Sequence, residues 1–103
     1  MSVDYAAEAR DDIDDAAFDI AQRHGGGVAN TFLARLAATV ARVEMMPLAY
    51  SLVDPPLPNH PGLRVVPVAR FESRLIFHTP TATGILVVRV LLAASDWQAT
   101  LGG

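Results

Sequence analysis

The spacing of apolar residues along this chain passes from helical to irregular to strand-like, and those changes divide it into elements. After a short strand predicted around Ser2 to Tyr5, the apolar positions Ala9, Ile13, Ala16, Ala17 and Ile20 recur at helical intervals. They predict an amphipathic helix from about Ala7 to His24, with Asp11, Asp12, Asp14, Asp15 and Asp19 mostly off the stripe. Gly25-Gly26-Gly27 ends that helix, because consecutive glycines permit positive φ and lose too much backbone entropy to stay helical. A second stripe, Ala29, Phe32, Leu33, Leu36, Val40 and Val43, predicts a second helix that Pro47 stops shortly afterwards. Two helices joined by a short glycine link form an antiparallel hairpin.

The helical period is then lost. Between Asp54 and Gly62 the chain holds Pro55, Pro56, Pro58 and Pro61, which exclude a helix or a central strand and predict a loop. Three strands follow at about Leu63 to Val68, Arg74 to His78 and Ile85 to Leu92, with Pro80 and Gly84 marking the last turn. Such short connections predict antiparallel order. Asp96 and Trp97 open a terminal segment of one or two helical turns ending at Gly102. The expected fold is α+β, an N-terminal strand and α-helical hairpin packed on a small antiparallel sheet with a short C-terminal helical tail. Residues 1–103 are sized for a single domain. Leu75-Ile76-Phe77 and Ile85 to Val88 are apolar at successive positions, so both faces of the sheet need cover. One helical hairpin shields one face. The other calls for the tail, a second copy, or an amphipathic segment of a partner.

Composition narrows the function classes. The chain has no cysteine, which removes disulfides and thiolate metal sites and suits a reducing, cytoplasmic compartment. The polar, acidic N-terminus lacks the layout of a signal peptide. The apolar run from Ile85 to Ala94 is interrupted by Arg89 and falls short of the ~20 residues that span a bilayer, so no membrane association is expected. Net charge is −3, and all eight cations are arginine. Phosphate-driven affinity is therefore disfavoured, and no direct nucleic-acid binding is expected. The charge is nonetheless asymmetric. Glu8 to Asp19 is acidic, whereas Arg64, Arg70 and Arg74, with His78, make a candidate basic face in the C-terminal half.

Two stretches carry more specific information, Leu75-Ile76-Phe77-His78 and Gly84-Ile85-Leu86-Val87-Val88-Arg89-Val90-Leu91-Leu92-Ala93-Ala94-Ser95-Asp96-Trp97. They resemble the end of a ParE-type toxin, from toxin-antitoxin modules of the ParE/RelE superfamily. There the two strands usually read Leu-Ile-Phe-Tyr-Arg and Ile-x-x-x-Arg-Val-Leu-His-Gly-Ala-Arg-Asp. Ala9 with Asp12 and Ile13, Phe32-Leu33, Pro47 and Leu63-Arg64 agree with further features of that family in the same order. The chain keeps the apolar frame and Arg89-Val90-Leu91 but has Leu92 and Ser95 where the family has His and Arg. The resemblance implies a ParE/RelE-like fold and a bacterial type II toxin of the kind linked to plasmid stabilisation. Its implied partner is a ParD-like antitoxin in a hetero-oligomer, its implied target DNA gyrase, and its action binding without catalysis or a cofactor. A degenerate, non-toxic member that still binds antitoxin is the alternative, and a ribosome-dependent mRNA interferase a further one.

The site candidates follow from the same residues. Arg89 lies inside an apolar strand, where an unpaired guanidinium is costly, so it needs a carboxylate, backbone carbonyls or solvent. By strand alternation it shares a face with Ile85, Val87 and Leu91 and converges on Arg74 and His78 if neighbouring faces coincide. A structural pair with Glu72 or Asp96 is the plainer reading. By resemblance, Arg89, Asp96, Trp97 and Leu101 are candidates for the target contact, with Trp97 either an exposed anchor or a plug on the core. Leu75, Phe77, Leu86 and Val88 are candidates for the antitoxin groove. An RNA-cleaving set would draw on Glu72, Arg74, His78 and Arg89, but the chain has no lysine. Asp11, Asp15 and Asp19 fall on one helical face and could attract a divalent metal, although such runs are commonly solvated or favoured by the helix dipole. No metal and no catalytic residue is assigned.

Overall fold

The computed structural model describes residues 2–102. β1 (Ser2–Tyr5) leads into α1 (Ala7–His24), which turns back as α2 (Gly26–Met45); β2 (Ser51–Leu52), β3 (Arg64–Val68), β4 (Phe71–Pro80), β5 (Gly84–Leu92) and α3 (Trp97–Gly102) follow. The five strands form one sheet in the order β1-β5-β4-β3-β2. β2 to β5 are antiparallel neighbours, and β1 lies parallel to β5 at the edge. The expected α+β architecture is the observed one.

Several local expectations give way. The link between the helices is Gly25 alone, at φ 94°, a value that favours glycine. Gly26 and Gly27 already belong to α2, because the first turn of a helix lacks intrahelical partners for its N–H groups and places little demand on side chains. Leu33, placed on the buried stripe of α2, is 38% exposed, and the stripe instead runs through Ala29, Phe32, Leu36, Thr39, Val40 and Val43. β2 has only two residues, paired with Arg64 and Val65, too few to show a period in sequence.

The sheet separates two apolar clusters. On the helix side, Phe32, Leu36, Val40 and Val43 of α2 and Ala9, Ala16 and Ile20 of α1 meet Val66, Val68, Ile76, Ile85, Val87 and Val90. Phe32 and Phe71 meet edge to face with centroids 5.4 Å apart. Thr39 stitches α2 to the β3–β4 turn by donating to the Arg35 carbonyl at 2.8 Å and accepting from the Ala69 N–H at 3.2 Å. On the opposite face, Phe77 is covered by Leu101, Val53 and Leu63, with Leu57, Val65, Leu75, Val88, Leu91 and Trp97 around them. The chain's own proline-rich loop and tail thus cover much of the second face.

Two features set the aim of β5. Pairing runs Phe77 with Arg89 and then His78 with Val87, leaving Val88 as an extra, bulged residue. The bulge shifts the alternation, so that Ile85, Val87 and Val90 face the helices while Val88 and Leu91 belong to the opposite cluster. Gly84 lies against β1 so closely that a Cβ there would sit 1.8 Å from the Ser2 carbonyl oxygen. Only glycine lets the first strand pack at this position.

Candidate functional site

The polar residues on the helix side are organised by α1. Asp12 accepts from Arg89 Nε at 2.7 Å and Nη2 at 2.9 Å, and also from the Val90 N–H at 3.0 Å. This bidentate geometry satisfies a guanidinium and a bulged backbone together. The hydrogen bond to Asp12 raises the Arg89 pKa. Neither Glu72 nor Asp96 is its partner, as the sequence had suggested. Glu72 accepts from the Arg70 N–H, and Asp96 lies at the start of α3. Two turns along α1, Asp19 accepts from Arg23 at 2.9 Å and from Arg74 at 3.2 Å. The Arg23 guanidinium, with help from Arg74, holds the Asp19 carboxyl below its usual range. The acidic run is therefore divided, since Asp12 and Asp19 latch the helix to β5 and β4 whereas Asp11, Asp14 and Asp15 are exposed. Among the described residues, no group of three or more His, Cys, Asp or Glu is arranged to hold a metal.

His78 occupies a third polar position. It pairs across the strands with Arg64, and its ring meets Tyr50 edge to face at 6.1 Å between centroids. The side chain is fully buried, and neither ring nitrogen has a hydrogen-bond partner. Burial, reinforced by the Arg64 charge, pushes its pKa down to about 4. Arg64 donates through Nη1 to the Tyr50 carbonyl oxygen, while its Nε is buried without a partner.

The expected convergence of Arg74, His78 and Arg89 does not occur. Each has its own neighbours, Asp19 for Arg74, Tyr50 and Arg64 for His78, and Asp12 for Arg89. All three face the helices, but they are spread along the strands, with Arg74 opposite Leu92, Arg89 opposite Phe77 and His78 opposite Val87, while the bulge at Val88 takes Leu91 to the other face. Of the candidate basic face, Arg64 and His78 meet, whereas Arg70 is exposed in the β3–β4 turn and Arg74 lies under α1.

The opposite side of the sheet carries the remaining candidates. Trp97 rests on Phe77 with centroids 5.1 Å apart, Leu101 is buried, and Asp96 stands at the start of α3, where its carboxylate faces the Ala99 N–H. Arg89 reaches the other way, to α1, so the four candidate target-contact residues do not share one surface. Of the candidate groove residues, Phe77 is fully buried, and Leu75 is half-buried beside it. Leu86 and Val88 stay accessible in a cavity of about 270 Å³, walled also by Thr79, Leu63, Asn59 and His60. The loop wall was not foreseen, because a proline-rich stretch gives no register against a sheet. Asp12 was legible in principle, since it falls between Ala9 and Ala16 on the buried stripe of α1.

The sequence model for "ParE toxin of type II toxin-antitoxin system, parDE" matches residues 3–97. The chain belongs to the ParE toxin family. A solved chain described as "Chromosomal ParDE TA system from P. aeruginosa" superposes on this ParE family member with a TM-score of 0.75. It covers 89% of this chain and 95% of its own, at 16% sequence identity, and that likeness is one of fold. No curated protein matches the sequence. No described helix of this ParE-type chain is long and apolar enough to cross a membrane.

Proposed function

We propose that this chain is the toxin of a type II toxin-antitoxin pair, neutralised by a ParD-like antitoxin, and that it acts in the cytoplasm by binding DNA gyrase. The family match over residues 3–97 carries this reading. Support for a binding mode comes from the fate of the proton-transfer and phosphate-binding candidates. His78 is buried away from solvent, Arg74 and Arg89 are engaged by α1 carboxylates, and Glu72 is exposed and accepts from the Arg70 N–H, so these candidates are not brought together as acid, base and cation for RNA cleavage. The cavity at Leu86 and Val88, the accessible part of the second face, is the expected seat for an apolar side chain of the antitoxin.

Growth of a bacterial host after induced expression, with and without the antitoxin encoded by the neighbouring gene, tests the reading. Arrest relieved by the partner, with purified chain blocking gyrase supercoiling, is the expected result. If the folded, well-expressed chain leaves growth undisturbed, toxicity is lost. One observation favours that second reading, a non-toxic member retaining antitoxin binding: Leu92 and Ser95 stand where the family motif carries cations, and Leu92 is 42% exposed.

A further inference from the structure

A cavity of about 510 Å³ lies on the helix side, between the end of α1, the start of α2 and the ends of β4 and β5. Its polar lining is Arg23, His24, Ser73 and Arg74 around the single carboxylate of Asp19. Two guanidinium groups face one carboxylate, a local excess of positive charge in a chain whose net charge is −3. Arg74 is the anchor. Its side chain is 13% exposed and held by one hydrogen bond to Asp19, the only one it makes among the described residues. A guanidinium has five N–H donors, so most of its capacity is unused, and its burial means little side-chain freedom is lost on engaging a ligand. Val28 and Leu92 also line the cavity and are 39% and 42% exposed.

From this combination we infer that the pocket receives a carboxylate side chain from an acidic, apolar-flanked segment of a protein partner. The carboxylate would join Arg74 and Arg23 beside Asp19, and a neighbouring aliphatic residue would cover Val28 and Leu92. A free small anion would engage the charges but leave those apolar side chains in water, so it would gain only part of the available interaction. The proposal deepens the antitoxin reading by naming a partner chemistry for a second contact, on the other side of the sheet from the Leu86–Val88 cavity. Its test needs no toxicity, and so its outcome is separate from that of the growth experiment.

A phage-displayed library of random 12-residue peptides is selected on the purified full chain, and enriched peptides are resynthesised with glutamine in place of each glutamate and asparagine for each aspartate. Enrichment of acidic peptides with aliphatic neighbours is expected, with affinity falling by about tenfold or more in the neutral versions. A comparable loss is expected on an Arg23→Gln/Arg74→Gln chain of unchanged circular dichroism, and no loss on Arg35→Gln, an exposed α2 arginine outside the pocket. Should the double variant not fold, amide chemical-shift perturbation on the unaltered chain replaces it, with Ser73, Arg74, Val28 and Leu92 expected to shift. Peptides without acidic bias, equal binding by charged and neutral versions, or shifts confined to other residues would overturn the proposal. Displacement of bound peptide by millimolar sodium acetate would also overturn it, by reducing the pocket to a free-anion site.

Discussion

The two faces of the sheet are covered by very different means. On one side, two helices of 18 and 20 residues lay regular stripes across the strands and are fixed by Asp12 and Asp19 to arginines of β5 and β4. On the other, a six-residue helix and a proline-rich loop hold Phe77 beneath Trp97 and Leu101, and a cavity remains open beside them. The contrast teaches that the helix side is built for permanence. Its cover is continuous and charge-latched, whereas the opposite cover is a loop and one short helix, joined by the Asn59 amide donating to the Gly102 carbonyl at 3.3 Å. Local opening starts where buried apolar contacts are fewest.

The largest separation between the two sides is expected from core truncation. Phe32→Ala removes a fully buried ring from the helix side and should destabilise the chain by about 3–5 kcal/mol, measured by urea unfolding. Leu101→Ala, under the short tail, should lie near the lower end of the range for such changes, about 2 kcal/mol, because α3 can collapse toward the gap. Equal losses would break the comparison.

Asp12→Ala comes next. It strands a part-buried guanidinium and the Val90 N–H together, which should destabilise by about 2–3 kcal/mol in the same assay, the solvent-exposed edge of the pair keeping the figure below that of a fully buried one. Asp19→Ala should barely move the midpoint, because that carboxylate is 44% exposed. If the two substitutions have equal effects, the latches are not distinguished by burial.

Acid should then weaken the helix side through His78. Its pKa is about 4 in the folded chain against an ordinary value of 6.5, so the unfolded state binds the proton more readily. Stability is full above about pH 6.5 and is lost as pH falls through 4. His78→Phe should flatten that part of the pH profile. A profile unchanged by the substitution would place the titration elsewhere.

The smallest effect concerns the tail. Trp97→Phe keeps an aromatic ring over Phe77 and should change global stability by about 1 kcal/mol or less while speeding amide exchange in α3. Exchange in α3 as slow as in α2, in the unaltered chain, would show that the thin cover is as firm as the thick one.

Much of this arrangement was legible in the sequence. The helical stripes located α1 and α2 because a 3.6-residue period persists over several turns, and the family resemblance ordered the strands. The phase after Arg89 was not legible, and Leu91, expected on the face of Ile85, Val87 and Arg89, lies on the other one. A bulge adds one residue to one strand, and nothing in Leu86-Val87-Val88-Arg89-Val90, apolar on both sides of the arginine, marks which residue is extra. Asp12 and Asp19 were not recognised as the partners of Arg89 and Arg74 for a related reason. In a run of carboxylates, composition alone does not separate the two that point inward from those that point to water. The cover over Phe77 was open among three occupants, because a loop without period carries no statement of where it lies. At the candidate site, the residues for an antitoxin groove were named from apolar runs, which gave the strands but not the loop residues Asn59 and His60 that wall the cavity.

The edge position of β1 governs when the molecule can be completed during synthesis. Ser2 to Tyr5 pair with Gly84 to Val87, and Asp12 with Arg89, so these segments wait for partners that are made much later. The α1–α2 hairpin, whose contacts are local, can form while the sheet is still being made, but its apolar stripes stay uncovered until β5 emerges. For a chain of this family, the interval is one in which the growing polypeptide already displays helices yet has neither a closed sheet nor either of the surfaces through which it would meet a partner.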